Sequence, residues 1–290
     1  VANTDVRLPK GFKERFNVAI RNTIGLTQDP IPICDDPEIS YMAINSVARL
    51  VHGDLASMLI GGIASLFFQT LHPYAMAGVA QHSRYQNDPL GRMLQTANFL
   101  GFTTYGPKDL AYSSIERVLA VHEAVRGTAD DGVEYYANDP HLLLWVHCAE
   151  ISMFLEGYLK FGRKRITDQE RDAYVLEMSQ LALDFGITNP PRTYRELRDE
   201  LSRFRPELRL IPEGAVARDF VAHEIIKERS KKIVFWFFVQ SSYALMEPWA
   251  QELLGVPRRV RLNRYLIKPV TKFLSRCLRI FVPPYEPPRP

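Results

Sequence analysis

The stretch from His72 to His147 constrains this chain more than any other part of it, because it combines sharply written helix starts with histidine and arginine inside otherwise apolar segments. Asp88 followed by Pro89 is an N-cap and first-turn signal: the carboxylate accepts a free N–H of the first turn, and proline has no N–H to leave unpaired there. Asp139 followed by Pro140 repeats it. In the helix opened by Asp88, Arg92, Gln95, Thr96 and Phe99 fall at i, i+3, i+4 and i+7, so Arg92 and Thr96 share a face one turn apart. Ile115, Val118, Leu119, His122 and Val125 form the apolar stripe of a second amphipathic helix, which predicts that His122 points inward. A third helix, Leu142 to Leu155, is apolar almost all round, which predicts that His147 is buried as well.

A buried neutral imidazole has one donor and one acceptor nitrogen to satisfy. A transition metal or haem iron is one way to occupy the acceptor, and an ordinary core contact with the backbone is the other. Periodicity leaves both open for His122 and for His147.

Four runs taken together narrow the choice. HPxxxxxVxxHS from His72 to Ser83, DPxxRxxxT from Asp88 to Thr96, VHEAVRG around His122, and YxAxDPxxLxWVH from Tyr135 to His147 stand in this order. Over residues 45 to 190, and more loosely beyond, the chain resembles the haem-dependent oxygenase family. That family includes latex clearing protein, a rubber oxygenase, and the fungal oxygenase that shortens a prenyl chain in mycophenolic acid biosynthesis. The resemblance implies an all-α protein with a distantly globin-like core that binds one haem b without covalent attachment.

It also implies roles. The family's axial histidine lies in the motif matched by VHEAVRG, so His122 is the expected iron ligand, with His147 second in line or else lining the cavity. The family's required arginine and threonine match Arg92 and Thr96. An arginine there can hold a propionate or a charged oxygen, while the hydroxyl orients a water or dioxygen. Arg92 also has an ordinary structural reading, in which it satisfies helix carbonyls. Latex clearing protein carries a lysine just before that threonine; this chain has Gln95, a poor haem ligand, so an open or water-bound site opposite His122 is expected. The family's proposed carboxylate base lies upstream of the arginine, but no carboxylate stands between His72 and Asn87. His82 is the nearby group able to move a proton near neutral pH, and the resemblance does not carry the cleavage of polyisoprene over to this chain.

Composition sets the remaining bounds. With 290 residues, 46% of them hydrophobic, the chain can build one substantial core or at most two. The expected division is an N-terminal arm over 1–40, where DPIPICDDPE cannot be regular helix, a helical haem-binding domain over 41–256, and a basic segment over 257–290. Thr167 and Glu170 write a capping box for a helix over 167–186, a shorter helix follows the Pro190–Pro191 pair, and SKKIVFWFFVQSSYALM is apolar enough for core. The run Leu55–Leu71 is short for a membrane span and reads as a central buried helix, in which Gly61 and Gly62 admit another helix or a flat cofactor.

Cys34, Cys148 and Cys277 have no metal-like spacing, no C-x-x-C-H haem attachment motif is present, and the odd number favours a reduced, cytoplasmic compartment. No signal peptide is visible in the first residues.

From Pro257 to Phe281 there are six arginines, two lysines and no acid, in a chain whose net charge is only +3. Arg264, Lys268, Lys272, Arg276 and Arg279 lie along one helical face, and Val270, Leu274, Cys277, Leu278 and Phe281 along another. That pattern suits a helix docked on the body with a solvated basic face, or one lying on an anionic membrane, and Pro269 is expected to interrupt either. No stacking platform or recognition motif accompanies the charge, which argues against nucleic acid. The expected function is a haem b-dependent oxygenase or peroxygenase acting on a hydrophobic substrate with dioxygen or peroxide; a haem-binding sensor or carrier is the second reading.

Overall fold

Helix follows helix in the computed structural model, which describes residues 32–83 and 85–285. In chain order they are α1 (Val47–His52), α2 (Leu55–Gln69), α3 (Pro73–His82), α4 (Pro89–Tyr105) and α5 (Lys108–Glu123). A short antiparallel hairpin follows, β1 (Arg126–Thr128) with β2 (Glu134–Tyr136), Gly127 opposite Tyr135. Then come α6 (Pro140–Phe161), α7 (Asp168–Asp184), α8 (Tyr194–Phe204), α9 (Pro212–His223), α10 (Arg229–Tyr243) and α11 (Pro248–Leu253). A π-helical turn, Asn263–Ile267, leads into α12 (Lys268–Phe281). The fold is all-α, as expected.

The helix starts form as the sequence writes them. Asp88 accepts from the Gly91 N–H at 2.9 Å and Asp139 from the His141 N–H at 2.7 Å. Thr167 and Glu170 cap each other reciprocally, with Glu170 N–H donating to Thr167 at 3.2 Å and Thr167 N–H to Glu170 at 2.6 Å. Two bounds differ from expectation. α5 stops at Glu123, so Val125 lies beyond the helix and its backbone turns into the hairpin. α6 runs on to Phe161, because its side chains stay buried among other helices along its whole length.

α2 and α6 cross at the centre of the core, and glycine sets how closely. A methyl group on Gly61 would lie 2.7 Å from the Met153 carbonyl oxygen, and one on Gly157 2.8 Å from that of Ser57. Gly61 therefore serves a helix; at Gly62 the nearest atom to such a methyl, on the Phe154 ring, is an ordinary 3.9 Å away. Ile60, Ala64 and Phe67 of α2 and Trp145, Ile151 and Leu155 of α6 are completely or almost completely buried around the crossing. Trp145 meets Phe68 and Phe204 edge-on with ring centroids 5.1 and 5.3 Å away. α6 is long and apolar enough to cross a membrane, but most of it is enclosed by its own chain.

Two arginines clamp the periphery. Arg49, 0% exposed, donates to the Thr104 carbonyl at 3.1 Å, the Cys34 carbonyl at 2.8 Å, Ser40 Oγ at 2.5 Å and Tyr285 Oη at 3.3 Å. It thereby pins the non-helical residues 32–40, the described part of the expected arm; residues 1–31 lie outside the described residues. Arg279, placed by its spacing on a solvated basic face, instead grips the buried Asp54, with Nε 3.1 Å from both carboxylate oxygens and Nη2 2.8 Å from Oδ2. Paired burial is what makes two such charges tolerable away from water. Pro269 does not interrupt the helix, because it falls in the first turn of α12, where a missing N–H costs little. α10 corrects another expectation: Phe238, Val239, Ser241 and Ser242 are buried, but Ile233 and Val234 are 67% and 41% exposed.

Two outcomes follow for stability. Gly61→Ala should destabilise the fold by about 1–3 kcal/mol, since the methyl can be housed only by moving α6 backbone; urea unfolding with an unchanged m-value measures it. Glu150 of α6 makes no hydrogen bond or ion pair among the described residues, and burial raises its pKa from 4.5 to about 7. The folded chain therefore binds more protons than the unfolded one between those values, so this group costs stability as pH rises from about 4.5 through about 7. Glu150→Gln should raise the melting temperature at pH 8 and much less at pH 5; a gain confined to pH 5 would contradict the assignment.

Candidate functional site

α4 and α5 pack on each other, and α4 also on α1, but neither makes the close backbone packing on α6 that α2 makes. The consequence shows along α4. Between residues 91 and 100 no side chain is buried, although Met93, Leu94, Phe99 and Leu100 are apolar. Phe99 and Leu100 pack on the edge of the core, with the Phe99 ring centroid 5.8 Å from that of Phe185, while Met93 and Leu94, nearer the start of α4, stay half-buried outside it.

His122, in the last turn of α5, stands on that hairpin. Its ring is half-buried; Nδ1 is enclosed and has no hydrogen-bond partner, while Nε2 makes none and is open to solvent. Asn138, in the turn before α6, donates from Nδ2 to the Leu119 carbonyl at 3.1 Å and to Tyr136 Oη at 3.4 Å. With its amide nitrogen committed, Asn138 offers Oδ1, itself enclosed and unpartnered. Burial lowers the His122 pKa most, the Asn138 amide works against that, and the nearby Arg92 guanidinium lowers it further. The chemistry of the two orphaned atoms is complementary, since Nδ1 can carry an N–H and Oδ1 is a carbonyl oxygen.

Arg92 is reached by solvent, yet enough protein surrounds it that desolvation lowers its pKa. Those two facts agree if Arg92 lines a concavity. Gln95 and Thr96 are exposed on the same helix, and Thr96 Oγ1 donates to the Arg92 carbonyl at 3.1 Å. His82 is placed differently. It is exposed at the end of α3, with Nε2 3.2 Å from the Arg126 carbonyl of the hairpin. His147 is buried on α6, with an enclosed, unpartnered Nε2 and a pKa lowered to about 4 by burial. The structure thus brings Arg92 and His122 together and sets His82 on the hairpin. His72, which opens the HP run, caps α3: its Nδ1 accepts the Ala75 N–H at 3.5 Å.

Sequence reading missed Asn138 and Glu150. Glu150 stands out in retrospect as an acid one turn after His147, flanked by apolar residues of the helix. Asn138 carried no local signal, since its role depends on a contact between the hairpin turn and α5.

The donor set fits haem. A porphyrin supplies four in-plane nitrogens and asks for one axial donor, a cation for its propionates and a slot with apolar walls. His122 with its open Nε2, Arg92 beside it and the accessible apolar residues of α4 meet those needs. A mononuclear non-haem iron asks for three protein ligands, and among the described residues no three His, Cys, Asp or Glu side chains are grouped to hold a metal ion.

Residues 49–276 match the family model described as ER-bound oxygenase mpaB/B'/Rubber oxygenase, catalytic domain. No curated protein and no solved structure matches the chain. The matched span covers all helices from α2 to α11, with His122, Arg92 and Thr96 inside it, and the chain belongs to the mpaB/rubber oxygenase catalytic-domain family.

Proposed function

We propose that this oxygenase-family protein is a haem b-dependent oxygenase or peroxygenase-type oxidoreductase that acts on a hydrophobic substrate, an isoprenoid, lipid or other apolar metabolite, with dioxygen or peroxide. The observation that carries the reading is His122, whose enclosed Nδ1 faces the free carbonyl of a fixed amide while Nε2 is open. That is how an axial histidine is prepared: an acceptor on one nitrogen fixes the tautomer and leaves the lone pair on the other.

When bound, haem supplies an iron centre able to activate dioxygen or peroxide. The chain's own residues do the rest. His122 would offer the Nε2 lone pair to the iron, and Asn138 would hold the proton on Nδ1 and set the ring's orientation. Arg92 holds a propionate or a negatively charged oxygen through charge-assisted hydrogen bonds. Thr96, whose proton is committed to the Arg92 carbonyl, presents lone pairs and so accepts from a water or a hydroxyl. Gln95 has no strong donor for a metal and leaves room for a small oxidant. Met93 and Leu94, which lie outside the core, would meet an apolar substrate.

His122→Ala should lose stoichiometric haem binding, read as the Soret band of protein supplied with haem, while His147→Ala keeps it. The reverse result would move the axial role to His147, and a wild-type chain that takes up no haem would end the proposal. Product formation with dioxygen or peroxide separates an enzyme from a carrier. Arg92→Ala should weaken haem retention or kcat/KM by about 10- to 100-fold and Thr96→Ala by about 2- to 10-fold, the difference between charged and neutral hydrogen bonds. Wild-type behaviour of both variants would remove them from the site.

A further inference from the structure

The last helix presents its body-facing and outward-facing sides in an unusual order. α12 docks through small polar side chains: Thr271 and Ser275 are fully buried, and Thr271 Oγ1 lies 2.8 Å from Ser241 Oγ of α10. Ile267, in the turn that leads into α12, is buried beside them. Leu274 packs on the core beside them, but a second set of apolar residues is left outside. Leu266, Val270, Phe273, Cys277 and Ile280 fall at i, i+4, i+7, i+11 and i+14, a single stripe opposite the docked side. Phe273 is 63% exposed, Leu266 44% and Ile280 41%.

Charge borders the stripe. Lys268, Lys272 and Arg276 follow one another at steps of four, all exposed, and none has an acidic partner among the described residues. α10 packs against α12 and adds the exposed Ile233 and Val234, next to the exposed Arg229 and Lys232. Apolar side chains on the surface of a soluble face are ordinarily scattered; a continuous stripe with a basic edge marks something it meets.

We propose that this face of α12 and α10 docks on a bilayer surface rich in anionic lipid, the stripe lying at the boundary of headgroups and acyl chains and the lysines and arginines among the headgroups. Charge selects this occupant over a second copy of the chain. A symmetric contact would bring together two segments that each present seven exposed cations and no acid, Arg279 being paired inward with Asp54. The inference stands on the surface alone and does not depend on the proposed cofactor or substrate.

The test is co-sedimentation of the full chain with phosphatidylcholine vesicles, with and without phosphatidylserine. Binding should require phosphatidylserine and weaken as salt rises. Lys268→Gln, Lys272→Gln and Arg276→Gln together should weaken it roughly a hundredfold, and Phe273→Ser about 10- to 100-fold. These positions are exposed, so thermal melts should match the wild type. Absence of binding, equal binding to both vesicles, or wild-type binding by either variant would overturn the proposal. So would a dimer in sedimentation velocity that Phe273→Ser disperses, which would assign the face to a second copy.

Discussion

The close approach of α2 and α6 governs the rest of this structure. With Gly61 and Gly157 at the crossing, backbone meets side-chain-free backbone, and nothing larger than hydrogen fits at either position. Such contact lets the flanking residues interdigitate, so that Trp145, Phe67, Ile151 and Leu155 lose nearly all exposure. The crossing also fixes α6 as a rigid floor. The α4–α5 pair is joined to the body less closely: Phe99, Leu100 and Leu119 pack on the edge of the core, and Met93 and Leu94 stay half-buried outside it.

Buried charge holds the edges of that arrangement. Arg49 satisfies carbonyl groups from residue 34 and from the end of α4 that no helix ladder can satisfy. Asp54 caps α2 and also takes Arg279 from α12, so one carboxylate serves a helix start and a contact far along the chain. Removing one partner of such a pair leaves the other charge stranded in the interior, which is more costly than never having buried either. The pairs thus fix where residues 34–40 and α12 can sit.

How much of this is legible in the sequence depends on range. The starts of α4, α6 and α7 were readable because a cap is a contact over two or three residues. The inward side of His122 and the burial of His147 followed from periodicity, and the family followed from four motifs in order. Contacts set by tertiary packing were not readable. Spacing grouped Arg279 with its basic neighbours, and only the position of Asp54 turns it inward. Spacing also cannot say which side of an amphipathic helix meets the body; α12 uses Thr271 and Ser275, and the apolar residues of α10 divide between core and surface. Gly61 and Gly62 read alike in sequence, and the crossing angle separates them.

The same distinction decides between the two histidines. Both carry an enclosed nitrogen without a partner, so an orphaned atom alone does not choose. A ligand must offer an accessible lone pair, and a flat macrocycle needs open space beside it. His147 points its orphaned Nε2 into packed surroundings, where burial holds the ring neutral down to about pH 4. His122 has its orphaned Nδ1 enclosed, with the Asn138 side chain beside the ring, and lies on a helix pair in which Met93 and Leu94 stay outside the core. His122 is also the less buried of the two, half-buried where His147 is 8% exposed, and it alone has a neighbouring side-chain amide that works against the effect of burial on its ring.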